Sequence, residues 1–501
     1  MKEQISKRKM AIIVTIMLCF PLFAQKDMHY RRNSICPFYF GISITNNELK
    51  AIATRTCEQY HLSDKYNSHY VGQRILKGIE FENNRNQTVA QSQSSTYNRQ
   101  NNFGSRQQAS RLEAIRSQNA QRTSKIQAYL QSIEDKKQNL ENLKNYIERN
   151  HIANQLIAKW FNMSSKMSDG SFFNMELIQE RGAYNASELE RLRAKETVRG
   201  MSILKDAGMD LIPNTYATFT TISYENGDEK FERMNKSFQE AGKRIKINGK
   251  PVDIDLHGTL SEFNAREHTT FNVKVEVYLF RLVWNEAVEN YFIDKYYNGT
   301  DTEKFLTDNY FKMAFLGSEV SKCYMSENTG VDASAYNRKQ ITGQRLENYK
   351  AYLPLATIVA LDNAYAKLQK KYEDFSVKAP LADVEEGKIT AFIGLKEGIN
   401  KKSKFEVLEK VYNEKNNTYR YKKVSSLKVE KGKVWDNRFT DIGLLSNGDN
   451  NYVAELIKNG KKISISDDAG KLKIGNANID RTYLKGSIGN LAPGMLIRQT
   501  K

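Results

Sequence analysis

Residues 83–108 consist almost entirely of Asn, Gln, Ser, Thr and Arg, and no other stretch limits the fold as much. Only Val89, Tyr97 and Phe103 offer apolar surface there, too little to offset the entropy of ordering the chain, so the tract is expected to be a disordered linker. Any core must therefore come from a short segment at 25–82 or from the chain beyond 109.

The beginning of the chain is set apart for a different reason. Lys2, Lys7, Arg8 and Lys9 precede an apolar run from Ala11 to Phe23, shorter than the roughly 20 residues that span a bilayer. Pro21 breaks the run and Ala24 offers a small residue before Gln25, so residues 1–24 read as a cleavable signal peptide. Leu18 is too large beside Cys19 for a lipoprotein signal. The mature chain carries no other segment of membrane-spanning length, and an exported protein in the periplasm, at the outer membrane or at the cell surface is expected.

The formal charge of +18 falls to +15 once the four basic and one acidic residues of that signal are removed. A basic balance favours anionic partners. Export argues against nucleic acid and for an envelope protein or an anionic envelope polymer. The hydrophobic fraction of 40% supports real cores, and 27 Tyr with 23 Phe point to β-rich packing. Of the cysteines outside the signal, Cys36 and Cys57 lie close enough in sequence to be the natural disulfide pair in an oxidising compartment, leaving Cys323 over. No cysteine spacing is of a metal-binding type.

The architecture expected is α+β: a disordered and helical N-terminal arm, a central α+β domain at 151–375 and a small antiparallel β-rich domain at 376–501. In the arm, residues 109–150 form a long helix in which Ile126, Ile133, Leu140 and Ile147 recur every seventh position, with Leu130 at the alternate core position. Lys137, Lys144 and His151 interrupt the Leu130 register, so the helix either self-associates as a coiled coil or packs on its own protein. The run at 270–283 places Phe271, Val273, Val275, Val277 and Leu279 on one face and reads as a strand. A helix is expected at 358–374. Short strands follow near 389–393, 404–411, 420–429, 451–456 and 461–466, with turn glycines between them, and this region is expected to form a small barrel or sandwich. From 376 to 501, 24 Lys and Arg against 15 Asp and Glu give it +9.

Chemistry has few anchors among six histidines. Asp253, Asp255 and His257 alternate, which on a strand would point three metal ligands the same way. Val252, Ile254 and Leu256 occupy the other face, as they would if the trio were simply the wet side of an edge strand. Glu267 and His268, being adjacent, would face opposite ways on a strand. His61 and His69 near Cys57 invite a nucleophile–base reading. Glu385 with Glu386 and Asp467 with Asp468 sit at apparent turns, where solvated charge is ordinary. The stretch Gly394 to Gly398 lacks the spacing of a phosphate loop, and no serine occupies a G-x-S-x-G elbow. Nothing calls for a cofactor.

Several ordered motifs carry a resemblance. They are Ala158-Lys-Trp-Phe161, Met175-Glu-Leu-Ile-Gln-Glu-Arg-Gly182, Asp206-Ala-Gly-Met-Asp-Leu-Ile212, Tyr278-Leu-Phe-Arg-Leu-Val-Trp284, Ala366-Lys-Leu-Gln-Lys370, Ile393-Gly-Leu-Lys-Glu-Gly398, Trp435-Asp-Asn-Arg-Phe439 and Pro493-Gly-Met-Leu-Ile-Arg498. Over residues 152–501 the chain resembles exported proteins of Bacteroidetes-type bacteria, a family with no assigned activity. The resemblance implies a periplasmic or surface setting. The reading that follows is a non-enzymatic envelope protein of binding or assembly type; the alternative is a hydrolase of an envelope polymer with its site around Asp253, Asp255 and His257.

Overall fold

The computed structural model describes residues 33–62, 66–77 and 79, 126–163 apart from 128–129 and 132, 173–185, 208–227 apart from 210, 239, 246–251 apart from 248–249, 268–297, 302–328, 338–385 apart from 374 and 377, 388–413, 418–438, 463–471 apart from 468–469, and 479–500. The chain divides into two compact units: residues 1–76 with 153–501, and residues 77–152. Sheets and helices are mixed, as expected of an α+β protein.

Besides a small pair of β4 (Lys246–Ile247) and β5 (Lys250–Pro251), the described residues of the first unit form two seven-stranded sheets. One runs β14 (Gly470–Lys471), β13 (Ile463–Asp467), β7 (Met313–Asn328), β6 (His268–Leu282), β3 (Thr215–Asn226), β1 (Asn33–Ser43) and β2 (Tyr66–Ser68). β6 follows the alternation in its sequence: Phe271, Val273, Val275, Val277 and Leu279 are all buried in one core. That core is closed by α1 (Asn47–Gln59) and by the long helix α5 (Arg338–Lys371). Asn46 starts α1, its side chain accepting from Glu48 N at 2.9 Å and Leu49 N at 3.1 Å, which satisfies two of the helix's orphan donors. α5 begins some 20 residues before the helix expected from sequence, because Pro354 reads as a stop. Packing overrides that signal: Leu353, Leu355, Ala356 and Ile358 around the proline are all buried.

β1 is the main departure from the expected domain plan. Residues 25–82 do not stand apart; β1 pairs in parallel with both β2 and β3, one strand in from the edge of the sheet. Its sequence shows no period because residues on both faces are buried. Pro37 is tolerated within it for a local reason. Ile35 O accepts from His69 N, and Tyr39 exchanges hydrogen bonds with Arg74 O and Leu76 N, so residues of this parity present their backbone to the 66–76 side. Named pairing there stops at Ile35 and resumes at Tyr39, which leaves Pro37 where a missing donor costs no ladder bond. At the other edge, β13 from the C-terminal region pairs with β7, so the 151–375 and 376–501 boundary does not separate the sheets either.

The second sheet is wholly antiparallel: β8 (Lys378–Pro380), β16 (Leu496–Gln499), β11 (Lys404–Asn413), β12 (Thr418–Val429), β15 (Thr482–Lys485), β10 (Lys388–Ala391) and β9 (Val384–Glu385). β8 and β9 end opposite edges, yet only residues 381–383 separate them. Leu381 N donates to Met495 O at 2.8 Å on one side, while Ala382 N donates to Thr390 O at 2.8 Å on the other. One stretch thus bridges both edges and closes a small barrel filled by Ile389, Ile393, Phe405, Val407, Leu427 and Ile497.

Three of the motifs quoted above meet where this barrel packs on α5. Gly394 bridges to Trp435, and Asn437 Oδ1 accepts from Lys396 N at 2.9 Å while its Nδ2 donates to Glu397 Oε2 at 2.9 Å. Glu397 Oε2 also takes Gly394 N at 2.5 Å, so a buried carboxylate is held by two donors. Gly398, at φ +73°, lies against Ala366 of α5, where an added Cβ would be 3.1 Å from the alanine methyl. Lys396 Nζ donates to His61 O at 2.8 Å, tying the barrel to the end of α1.

A second core surrounds α2 (Ile152–Trp160), α3 (Met175–Asn185) and α4 (Glu286–Phe292), rich in Trp160, Phe161, Phe173, Phe292 and Phe305. In the unit of residues 77–152, residues 133–149 are helical. Leu143 and Ile147 are buried on it, whereas Ile126, Leu130 and Ile133 of the expected seam are exposed by 59%, 58% and 46%. Among the described residues no helix is long and apolar enough to cross a membrane. The polar tract at 83–108 lies outside them.

Candidate anion-binding face of the barrel

Asp253, Asp255, His257 and Glu267 lie outside the described residues, and His268 opens β6. Among the described residues no three His, Cys, Asp or Glu side chains gather as metal ligands. Cys36, Cys57 and Cys323 are all buried and none is in a disulfide, so the Cys36–Cys57 bond expected from spacing is not formed. The pleat explains it. Ile35 and Tyr39 face the core that holds Cys57, and Cys36 has the opposite parity on β1. Desolvation, outweighing a backbone hydrogen bond from Val71 and the charge of Arg74, pushes the Cys36 thiol up to about 12. Burial, reinforced by Glu58, raises Cys57 further, so neither thiol is poised as a nucleophile.

His69 is equally unlike a catalytic base. Its Nε2 lies 2.7 Å from Leu156 O and its ring packs 5.2 Å from Trp160. Burial, against the hydrogen bond to Leu156, lowers its pKa to about 3, so the neutral ring donates to the carbonyl and serves as a structural link. His61 is exposed and contributes its carbonyl to Lys396.

The barrel's outer surface holds an arrangement that the linear sequence conceals. β11 and β12 pair with Lys404 opposite Lys428, and β12 and β15 pair with Lys428 opposite Lys485. Phe405, Leu427 and Leu484, the adjacent residues, are buried inside the barrel, so the three lysines point outward in one row across three strands. All three are exposed. Like charges directly opposite one another on a sheet are destabilising, so this register works against the barrel's own stability.

Among the described residues, two acids on or just past the same strands are engaged elsewhere. Glu406, two residues along β11 from Lys404, is held by Arg498, with Nε at 2.7 Å and Nη2 at 2.5 Å. Glu430, two residues beyond Lys428, pairs with Lys433 at 2.9 Å. Lys401, Lys402 and Lys431 add further exposed ammonium groups in the turns before β11 and after β12. Tyr483, two residues before Lys485, lies 4.8 Å beneath Lys433 Nζ. Among the described residues no acid is ion-paired with Lys404, Lys428 or Lys485 within 4.0 Å. Chemically, such a row can neutralise an extended anion of repeating charge, and it lacks the buried, converging groups that a reaction requires.

No protein-family model matches the chain, and no curated protein is similar to it in sequence. The net charge of the C-terminal region was the only sequence signal of this face. The pairing partners lie far apart along the chain, and strand register alone brings them together.

Proposed function

We propose that the protein is an exported, non-enzymatic envelope protein whose C-terminal barrel binds an anionic polymer. The observation that carries this reading is the row of Lys404, Lys428 and Lys485, three charges in register, with Glu406 on β11 and Glu430 just past β12 committed to Arg498 and Lys433. A row that costs stability when empty gains most when a polyanion neutralises it. The signal-like residues 1–24 support an envelope polymer over nucleic acid as the ligand.

Inorganic polyphosphate is a suitable first probe, titrated into the chain from Gln25 onward at several salt concentrations. Each phosphate neutralised releases about 0.7–0.9 counterions, so the logarithm of the affinity should fall against that of salt with a slope near −2 to −3. Replacing Lys404, Lys428 and Lys485 together by Gln should flatten that slope. Unchanged affinity in the triple variant would remove the face from consideration.

A further inference from the structure

Away from the barrel, one surface cluster combines an exposed aromatic ring with fixed polar groups. α4 passes into a turn of π-helix at Ile293–Tyr297, a rare geometry that is frequent at functional sites. This turn carries Lys295 and Tyr296 to Asp308, in the loop before β7. Asp308 Oδ2 accepts from Tyr291 Oη at 2.8 Å, from Lys295 Nζ at 3.3 Å and from Tyr296 Oη, while Oδ1 accepts from Tyr310 N at 2.9 Å. Burial works against the Asp308 carboxylate, but these donors outweigh it and hold its pKa down to about 2.

The consequence is a rigid ring at the surface. Tyr291 is fixed through its hydroxyl, and Tyr310 stacks on it with ring centroids 3.9 Å apart at 28°. The amide of Tyr310 is tied to the same carboxylate, yet 44% of the residue remains exposed. Leu306, a few residues earlier, is also exposed. A ring held in place before binding loses little entropy on binding. The Lys295 charge is balanced by Asp308, so this pair presents no net charge beside the ring. Oδ1, which takes the Tyr310 amide, keeps a second acceptor position.

We propose that Tyr310, stacked on Tyr291 and flanked by Asp308, is a binding platform for an uncharged pyranose-containing glycan. The C–H face of a sugar ring lies against the free face of Tyr310, and a ring hydroxyl donates to Asp308 Oδ1. An anion gains nothing from a neutralised pair, which separates this platform from the lysine row.

The test is saturation-transfer NMR on the full chain with two soluble probes, cellotetraose and the tetramer of N-acetylglucosamine. Transfer to ring C–H protons of at least one is expected, together with an affinity loss of tenfold or more in Tyr310→Ala. Tyr310→Phe should retain most of the binding, and Tyr324→Ala, which removes an exposed tyrosine on β7, should leave it unchanged. Circular dichroism matching the parent confirms that the variants are folded. Polyphosphate should not displace the sugar, so failure of the lysine row and failure of this platform are read separately. Absence of transfer from both sugars at millimolar concentration, or equal binding by Tyr310→Ala, overturns the proposal.

Discussion

Reversing the charge of Lys428 should make the barrel more stable and the protein worse at binding polyanions. Lys428 is the middle of the row, directly opposite Lys404 on one side and Lys485 on the other. Facing residues on neighbouring antiparallel strands stand about 5 Å apart at Cβ. Two unit charges about 6 Å apart in water repel by about 0.7 kcal/mol, and physiological salt roughly halves this. Lys428→Gln removes two such repulsions, about 0.7 kcal/mol in all, and Lys428→Glu turns both into attractions, for about twice that. The empirical range for cross-strand pairs, about 0.2–1 kcal/mol each, brackets both values. Urea unfolding should therefore show midpoints in the order Lys428→Glu, Lys428→Gln, parent, from highest to lowest. The spread should shrink in 0.5 M salt, because screening removes the repulsion. Affinity for polyphosphate should run in the opposite order. A destabilised Lys428→Glu protein would refute the reasoning, since it would mean that the lysine stems or an unrecognised acid contribute more than the repulsion costs.

Other consequences follow from the packing. Gly394→Ala would place a methyl 2.4 Å from Trp435 O and 2.5 Å from Asn437 Oδ1; overpacking of this kind costs about 1–3 kcal/mol, measurable by urea unfolding. His69 has a folded pKa of about 3, below its ordinary value of 6.5. The unfolded chain therefore binds the extra proton between those values, and stability should fall as pH drops from 6.5 toward 3, by up to about 1.4 kcal/mol per pH unit. His69→Gln, which keeps a donor for Leu156 O but cannot titrate, should lose that part of the pH dependence. Leu143→Ala, in the helix at 133–149, should cost about 2–5 kcal/mol, whereas Ile126→Ala, at an exposed position before that helix, should stay within about 0.5 kcal/mol.

What a reader of the sequence could foresee depended on whether a residue's environment leaves a local trace. The alternation in β6 is visible because one apolar set faces a continuous core, and the structure buries all five of those residues. The barrel strands β11 and β12 and their turn glycines are visible for the same reason. β1 leaves no such trace, since both its faces are buried and the residues pairing with it are distant in sequence. The beginning of α5 was hidden by Pro354, a local signal that packing overrides. The heptad in the arm is met only in part: Ile147 of the seam is buried, but Ile126, Leu130 and Ile133 are exposed, and Leu143, outside the seam, is buried.

The sequence by itself determined composition and local propensity: an α+β chain and a basic C-terminal region. These depend on each residue and its near neighbours, and so can be read from a linear string. Tertiary structure alone decided that Cys36 and Cys57 remain apart, that the Gly394, Ala366 and Trp435 motifs form one joint, and that three scattered lysines stand in a row. Each of those outcomes rests on strand register and on which face a side chain takes, and a shift of one residue would reverse it.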